Sequence, residues 1–189
     1  DIRDWCSFTI VRDPIDRFVS AWKTIKHPPK EQADNKDILT LRKKYWQQLF
    51  KYDNINDFTF GLVENISLRN DFFIQPSSYH FWPLASFCTA RTDIDSGVVT
   101  SKTIDLTKLK LLRPALVLKF EQLDKDFALL AKMINMKDYN LPVANSAGSD
   151  VSANFVLNDG SRAILEQLYG HDYEICHQLL SGHHLQMFT

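Results

Sequence analysis

An α/β domain with a parallel sheet is the fold class this sequence predicts, on three observations. A short apolar, β-rich run from Cys6 to Val11 passes directly into an amphipathic helix. A second such run, Ala115 to Phe120, does the same far downstream. Helical periodicity fills much of the chain between and after them, and strand–helix units in that order pair their strands in parallel. Two strands make only part of such a sheet, so a partial parallel sheet flanked by many helices is expected.

The first strand ends at Arg12-Asp13-Pro14. Asp13 suits an N-cap, Pro14 a first helical position, and Asp16 occupies the capping-box position as Asp rather than Glu. Ile15, Phe18, Val19 and Trp22 recur at i, i+3, i+4 and i+7, one stripe to be buried. His27 to Asn35 is a polar linker with two prolines. Asp37 to Tyr52 reads as a second helix, with Ile38, Leu41, Tyr45 and Leu49 inward and Arg42, Lys43 and Lys44 on a solvated face. Ile55 to Glu64 reads as a third. Leu68 to Ala90, rich in aromatics and prolines, is expected to be irregular, and Arg91 to Leu106 to be a loop. After the second strand, a helix from Glu121 to Asn135 buries Phe127, Leu130, Ala131 and Ile134. Asn140 to Asn158 is a loop, and Ser161 to Leu180 is helical.

A length of 189 residues suits a single domain, read as 1–189. The chain opens on Asp1-Ile2-Arg3-Asp4, without Met, and enters a buried-looking strand at once. A domain incomplete at its N-terminus is therefore expected, with further strands upstream. The formal net charge of −1 offers no global footprint for nucleic acid, so any anion site is local. No apolar run reaches the roughly 18–20 residues that span a bilayer. Cys6, Cys88 and Cys176 are dispersed, with no Cys/His cluster at zinc spacing, and no metal site is expected.

The chemistry concentrates in Phe8 to Trp22. At about 100° per residue, Arg17, Ser20 and Thr24 fall within roughly a 60° arc opposite the apolar stripe. Arg12, at the strand's end, can swing toward that flank. A guanidinium offers a planar fork of donors to a phosphate, and a serine adds a neutral hydroxyl. Because Asp13 occupies the helix N-terminus, an anion is expected beside the helix rather than on its tip. Arg17 has a second explanation, an i,i+4 pairing with Asp13.

This segment resembles the 3′-phosphate-binding motif of sulfotransferases that use 3′-phosphoadenosine 5′-phosphosulfate (PAPS), in which an Arg ends a strand and a Ser follows eight positions later. Arg12 and Ser20 match that spacing, within the R-D-P-x-x-R-x-x-S-A-[YW] context of Golgi-type and bacterial carbohydrate sulfotransferases. Further similarities follow in order: Gln75-Pro76, Phe120-Glu121-Gln122-Leu123 with Asp124 and Asp126, Leu141-Pro142 with Asn145-Ser146, and Tyr169 with Asp172-Tyr173. The family's upstream P-loop-like segment, which holds the 5′-phosphosulfate, has no counterpart in this chain.

The resemblance implies a P-loop-like sulfotransferase fold and sulfuryl transfer from PAPS to a carbohydrate hydroxyl by in-line displacement, with PAP as product and no metal. It implies that Arg12, Ser20 and Arg17 bind the donor, and it names no general base. His27 and His80 are the histidines placed where a base is conceivable, and each is read as a surface or packed side chain instead. Glu121 is expected to anchor a strand–helix junction, and Trp46, Phe72, Phe73 and Trp82 to fill the core. Acceptor choice would reside in variable loops such as Pro28 to Asp37 and Thr89 to Thr103. The compartment would be the Golgi lumen for an animal protein and the cytoplasm for a bacterial one. A sulfotransferase-like fragment or paralogue that binds PAP or a protein partner without catalysis is the alternative. A P-loop kinase or NTPase is disfavoured by the lack of a GxxxxGK[ST] loop.

Overall fold

Two short strands, β1 (Phe8–Val11) and β2 (Leu116–Lys119), pair in parallel, with Phe8 opposite Leu116 and Val11 opposite Lys119. They belong to a computed structural model that describes residues 8–28, 34–37, 39–40, 46–69, 81, 116–137, 141 and 155–182. The main described helices are α1 (Pro14–Lys26), α2 (Ile55–Glu64), α3 (Leu123–Met133), α4 (Asp159–Leu168) and α5 (Gly170–Gly182). Single 3-10 turns occupy Leu49–Lys51 and Phe120–Gln122. The architecture is mixed α/β, mostly helical, with a small parallel sheet.

α1 forms as its sequence dictates. The Asp13 carboxylate accepts from the backbone N–H groups of Ile15 and Asp16, both at 2.9 Å, and Pro14 supplies a preset φ at the first helical position. Its apolar stripe, Ile15, Phe18, Ala21, Trp22 and Ile25, is buried. α2 is capped by Asn54, whose side chain accepts from the Asp57 N–H, and α4 by Asn158, which accepts from Ser161. The side-chain amide of Asn56 binds both ways to the segment before α4, donating to the Val156 carbonyl and accepting from the Asn158 N–H at 3.0 Å each. This double bond fixes α2 against α4.

The main core is aromatic. Phe58 of α2 stacks on Trp22 with ring centroids 4.9 Å apart, and Phe18 meets Phe81 edge-on at 5.2 Å. Leu49, Leu62, Phe155, Leu165 and Tyr169 close around them. A second cluster joins β2 to α3 through Leu116, Leu118 and Leu130.

Several expectations change. The first strand was expected to be buried, yet Phe8 and Ile10 are 49% and 42% exposed, and only Val11 is covered. The cluster under α3 takes in Leu116 and Leu118 but neither of their partners on β1. The helix expected to run to Tyr52 instead shows a turn at Trp46–Gln48 followed by the 3-10 turn. That turn buries Leu49 and packs Trp46, Phe50 and Tyr52 on the core. Ile38, Leu41 and Tyr45 lie outside the described residues.

The helix after β2 begins with the 3-10 turn and ends at Met133, because Asn135 adopts φ 54°. The Met136 N–H then donates to Ala131 and the Asn135 N–H to Lys132, closing the end in a Schellman arrangement. Ile134, expected in the buried stripe, is consequently exposed. The C-terminal helix is two helices, broken at Tyr169. Most of Leu68 to Ala90, Arg91 to Leu106 and most of Asn140 to Asn158 lie outside the described residues.

Candidate functional site

The end of β1, the start of α1 and the turn after β2 meet at one place. Parallel pairing ends with Val11 opposite Lys119, so Arg12 and Phe120 are the next residues along the two strands. The pleat sends both side chains to the same side, and the Arg12 guanidinium lies over the Phe120 ring, 4.2 Å from its centroid. The adjacent residue, Glu121, accepts from the Asp13 N–H at 3.1 Å. This meets the expectation of an anchor at a strand–helix junction. The bond also takes the place of the reciprocal half of a capping box, in which the third helical residue would reach back to that N–H. Asp126 accepts from the Lys119 N–H at 2.8 Å, tying the last residue of β2 to α3.

Arg12 is half-buried. Burial lowers its pKa, opposed by the charges of Asp16, Glu121 and Asp13 and aided slightly by Arg17. Among the described residues its guanidinium takes part in no hydrogen bond or salt bridge. Two of the three carboxylates are engaged elsewhere: Asp13 with the helix N–H groups and the Tyr173 hydroxyl, Glu121 with the Asp13 N–H. Five N–H donors on a partly desolvated cation are thus available to an external anion.

Ser20 stands two turns into α1 and is partly exposed, open to solvent on the flank opposite Phe18 and Trp22. Arg17 shares the polar side but has a partner of its own. Its Nη2 lies 3.0 Å from Oδ2 of Asp172, a buried carboxylate on α5, and its guanidinium is 5.9 Å from the Tyr169 ring centroid. The expected i,i+4 partner, Asp13, instead accepts from the Tyr173 hydroxyl at 3.2 Å. Asp172 and Tyr173 of α5, with Tyr169 just before that helix, thus all meet the start of α1.

Farther along α1, Lys23 lies over the Phe155 ring at 5.6 Å and His27 meets the same ring edge-on at 5.0 Å. His27 is therefore a packed surface residue in this structure. His80, Gln75-Pro76, Asn145-Ser146, Arg42-Lys43-Lys44, Phe72, Phe73 and Trp82 lie outside the described residues. Phe120 and Asp172 have no role assigned by sequence, because neither the strand register nor the docking of α5 is visible in a linear pattern. Among the described residues no group of three or more His, Cys, Asp or Glu side chains is arranged to hold a metal ion.

A family model described as the sulfotransferase family matches residues 1–176. No curated protein and no solved structure matches the chain.

Proposed function

The chain belongs to the sulfotransferase family, and from that premise we propose that it serves transfer of a sulfuryl group from PAPS to a carbohydrate hydroxyl, binding the donor's 3′-phosphate with Arg12 and Ser20. The observation that carries this reading is the Arg12 guanidinium: half-buried, oriented by a ring, and with its N–H donors unspent among the described residues. Leaving a cation in such a place is costly unless an anion completes it. A phosphate fits, since it accepts two parallel N–H bonds from the fork and a third from a hydroxyl.

The surrounding charges select the approach. Asp13 occupies the first turn of α1, so an anion is excluded from the helix tip and directed to the flank that carries Ser20. Arg17 lies near enough to act on the charge of Arg12, and it adds positive potential there while its fork is anchored to Asp172. In this reading Arg17 contributes to donor binding chiefly through that field. The implied architecture is a P-loop-like sulfotransferase fold with β1 and β2 as neighbouring strands.

PAPS supplies the activated sulfuryl group. The part of Arg12 and Ser20 is to bind and orient the adenosine end, remote from the reacting sulfur. The carbohydrate class of acceptor rests on the Arg12-Asp13-Pro14 to Ser20-Ala21-Trp22 context. Titration of PAP into the chain by calorimetry tests the donor site. Arg12→Ala is expected to weaken binding by roughly a hundredfold, the loss of a bidentate charged contact. Unchanged affinity would remove Arg12 from the site. Transfer of radiolabelled sulfate from PAPS onto a panel of polysaccharides tests the reaction, and PAP binding without transfer would favour the non-catalytic alternative.

A further inference from the structure

We propose that Phe120 is a positioning residue for donor binding, its ring holding the Arg12 guanidinium in the pose that meets the 3′-phosphate. This rests on the phosphate reading of Arg12. A single exposed phenylalanine is unremarkable by itself. Phe120 differs because a cation lies 4.2 Å from its ring centroid and because the pairing of β1 with β2 puts it there.

The chemistry of the contact matters. A guanidinium can be held by its face or by its edge. A carboxylate would take the edge, occupy the N–H groups and neutralise the charge. The ring attracts the cation through its quadrupole and takes none of those hydrogen bonds. Asp13, Asp16 and Glu121 all act on the charge of Arg12 from nearby, yet among the described residues none of them accepts a hydrogen bond from it. Phe120 therefore orients the fork while leaving it able to bind. A flexible arginine loses less freedom on meeting its ligand when its pose is fixed beforehand.

Three variants and two measurements test the inference: Phe120→Leu, Phe120→Tyr and Arg12→Ala, each followed by PAP calorimetry and thermal melting. Phe120→Leu keeps apolar bulk but removes the ring, and is expected to weaken PAP binding roughly fivefold with little change in melting temperature. Phe120→Tyr, which keeps the ring, is expected to bind as the parent does. In the Arg12→Ala background, Phe120→Leu is expected to add nothing, because its effect passes through Arg12. If Arg12→Ala weakens PAP binding and Phe120→Leu leaves it unchanged, the positioning role is overturned while the phosphate reading stands. If Arg12→Ala itself leaves PAP affinity unchanged, both are overturned.

Discussion

Arg17 of α1 and Asp172 of α5 form an ion pair 3.0 Å long, with the aspartate side chain 1% exposed and the arginine 22%. The pair ties the helix that carries Ser20 to the C-terminal helix, across 155 residues of sequence. Its two ends are unequal. Removing Arg17 takes a cation away from a carboxylate in the interior, whereas removing Asp172 leaves a cation with some access to water. Arg17→Ala is therefore expected to cost about 3 kcal/mol or more, and Asp172→Asn less. Urea denaturation of the two variants measures both, and equal losses would contradict the asymmetry.

Tyr173 gives a pH signature. Burial first, then the charge of Asp13 and the bond to it, raise the pKa of its hydroxyl. A raised folded value means that the native state favours the neutral phenol. Its contribution is complete below the unfolded tyrosine value near about 10 and is lost as pH rises from there through the folded value. Tyr173→Phe is expected to lower stability by about 1 kcal/mol at neutral pH. The gap between parent and variant should narrow only above about pH 10, as followed by denaturation midpoints across the alkaline range.

Ser20→Ala separates binding from folding. Ser20 is partly exposed on a helix, and alanine is a better helix former, so stability should hold or rise slightly. Loss of one hydroxyl bond to a phosphate is expected to weaken PAP binding about tenfold, less than loss of Arg12. Calorimetry and a thermal melt on the same sample make the comparison.

Gly61 faces the ring of Tyr52. A Cβ there would lie 2.7 Å from Cζ and 2.8 Å from Cε1, and closer still to the hydroxyl. That ring is itself held edge-on to Phe58 at 5.5 Å, so it has little room to yield. Gly61→Ala would gain about 1 kcal/mol of helix propensity. Overpacking of about 1–3 kcal/mol is expected to exceed that gain. A lower melting temperature is the predicted outcome, restored by adding Tyr52→Leu.

What was legible from the chain alone was local. Asp13-Pro14 and the Ile15, Phe18, Trp22 spacing define α1 without reference to any other segment, and the bounds of α2, Ile55–Glu64, are those expected. Apolar content did not reveal that Phe8 and Ile10 stay exposed, because coverage of a strand depends on which helix lies over it. The helix expected through Tyr52 gave way to a turn where core packing of Leu49 and Phe50 outweighs continued periodicity. The same division runs through the site. Arg12 and Ser20 sit within one strand–helix unit, whereas Phe120, Glu121 and Asp172 reach it through register and docking.

The alignment of Val11 with Lys119 has an arithmetic consequence. Side chains alternate along a strand, so deleting one residue within 116–119 would bring Glu121 to the place beneath the guanidinium and turn Phe120 away. An aromatic cushion would be exchanged for a built-in counterion. The arginine would then be satisfied from inside the molecule, with nothing left to offer a visitor.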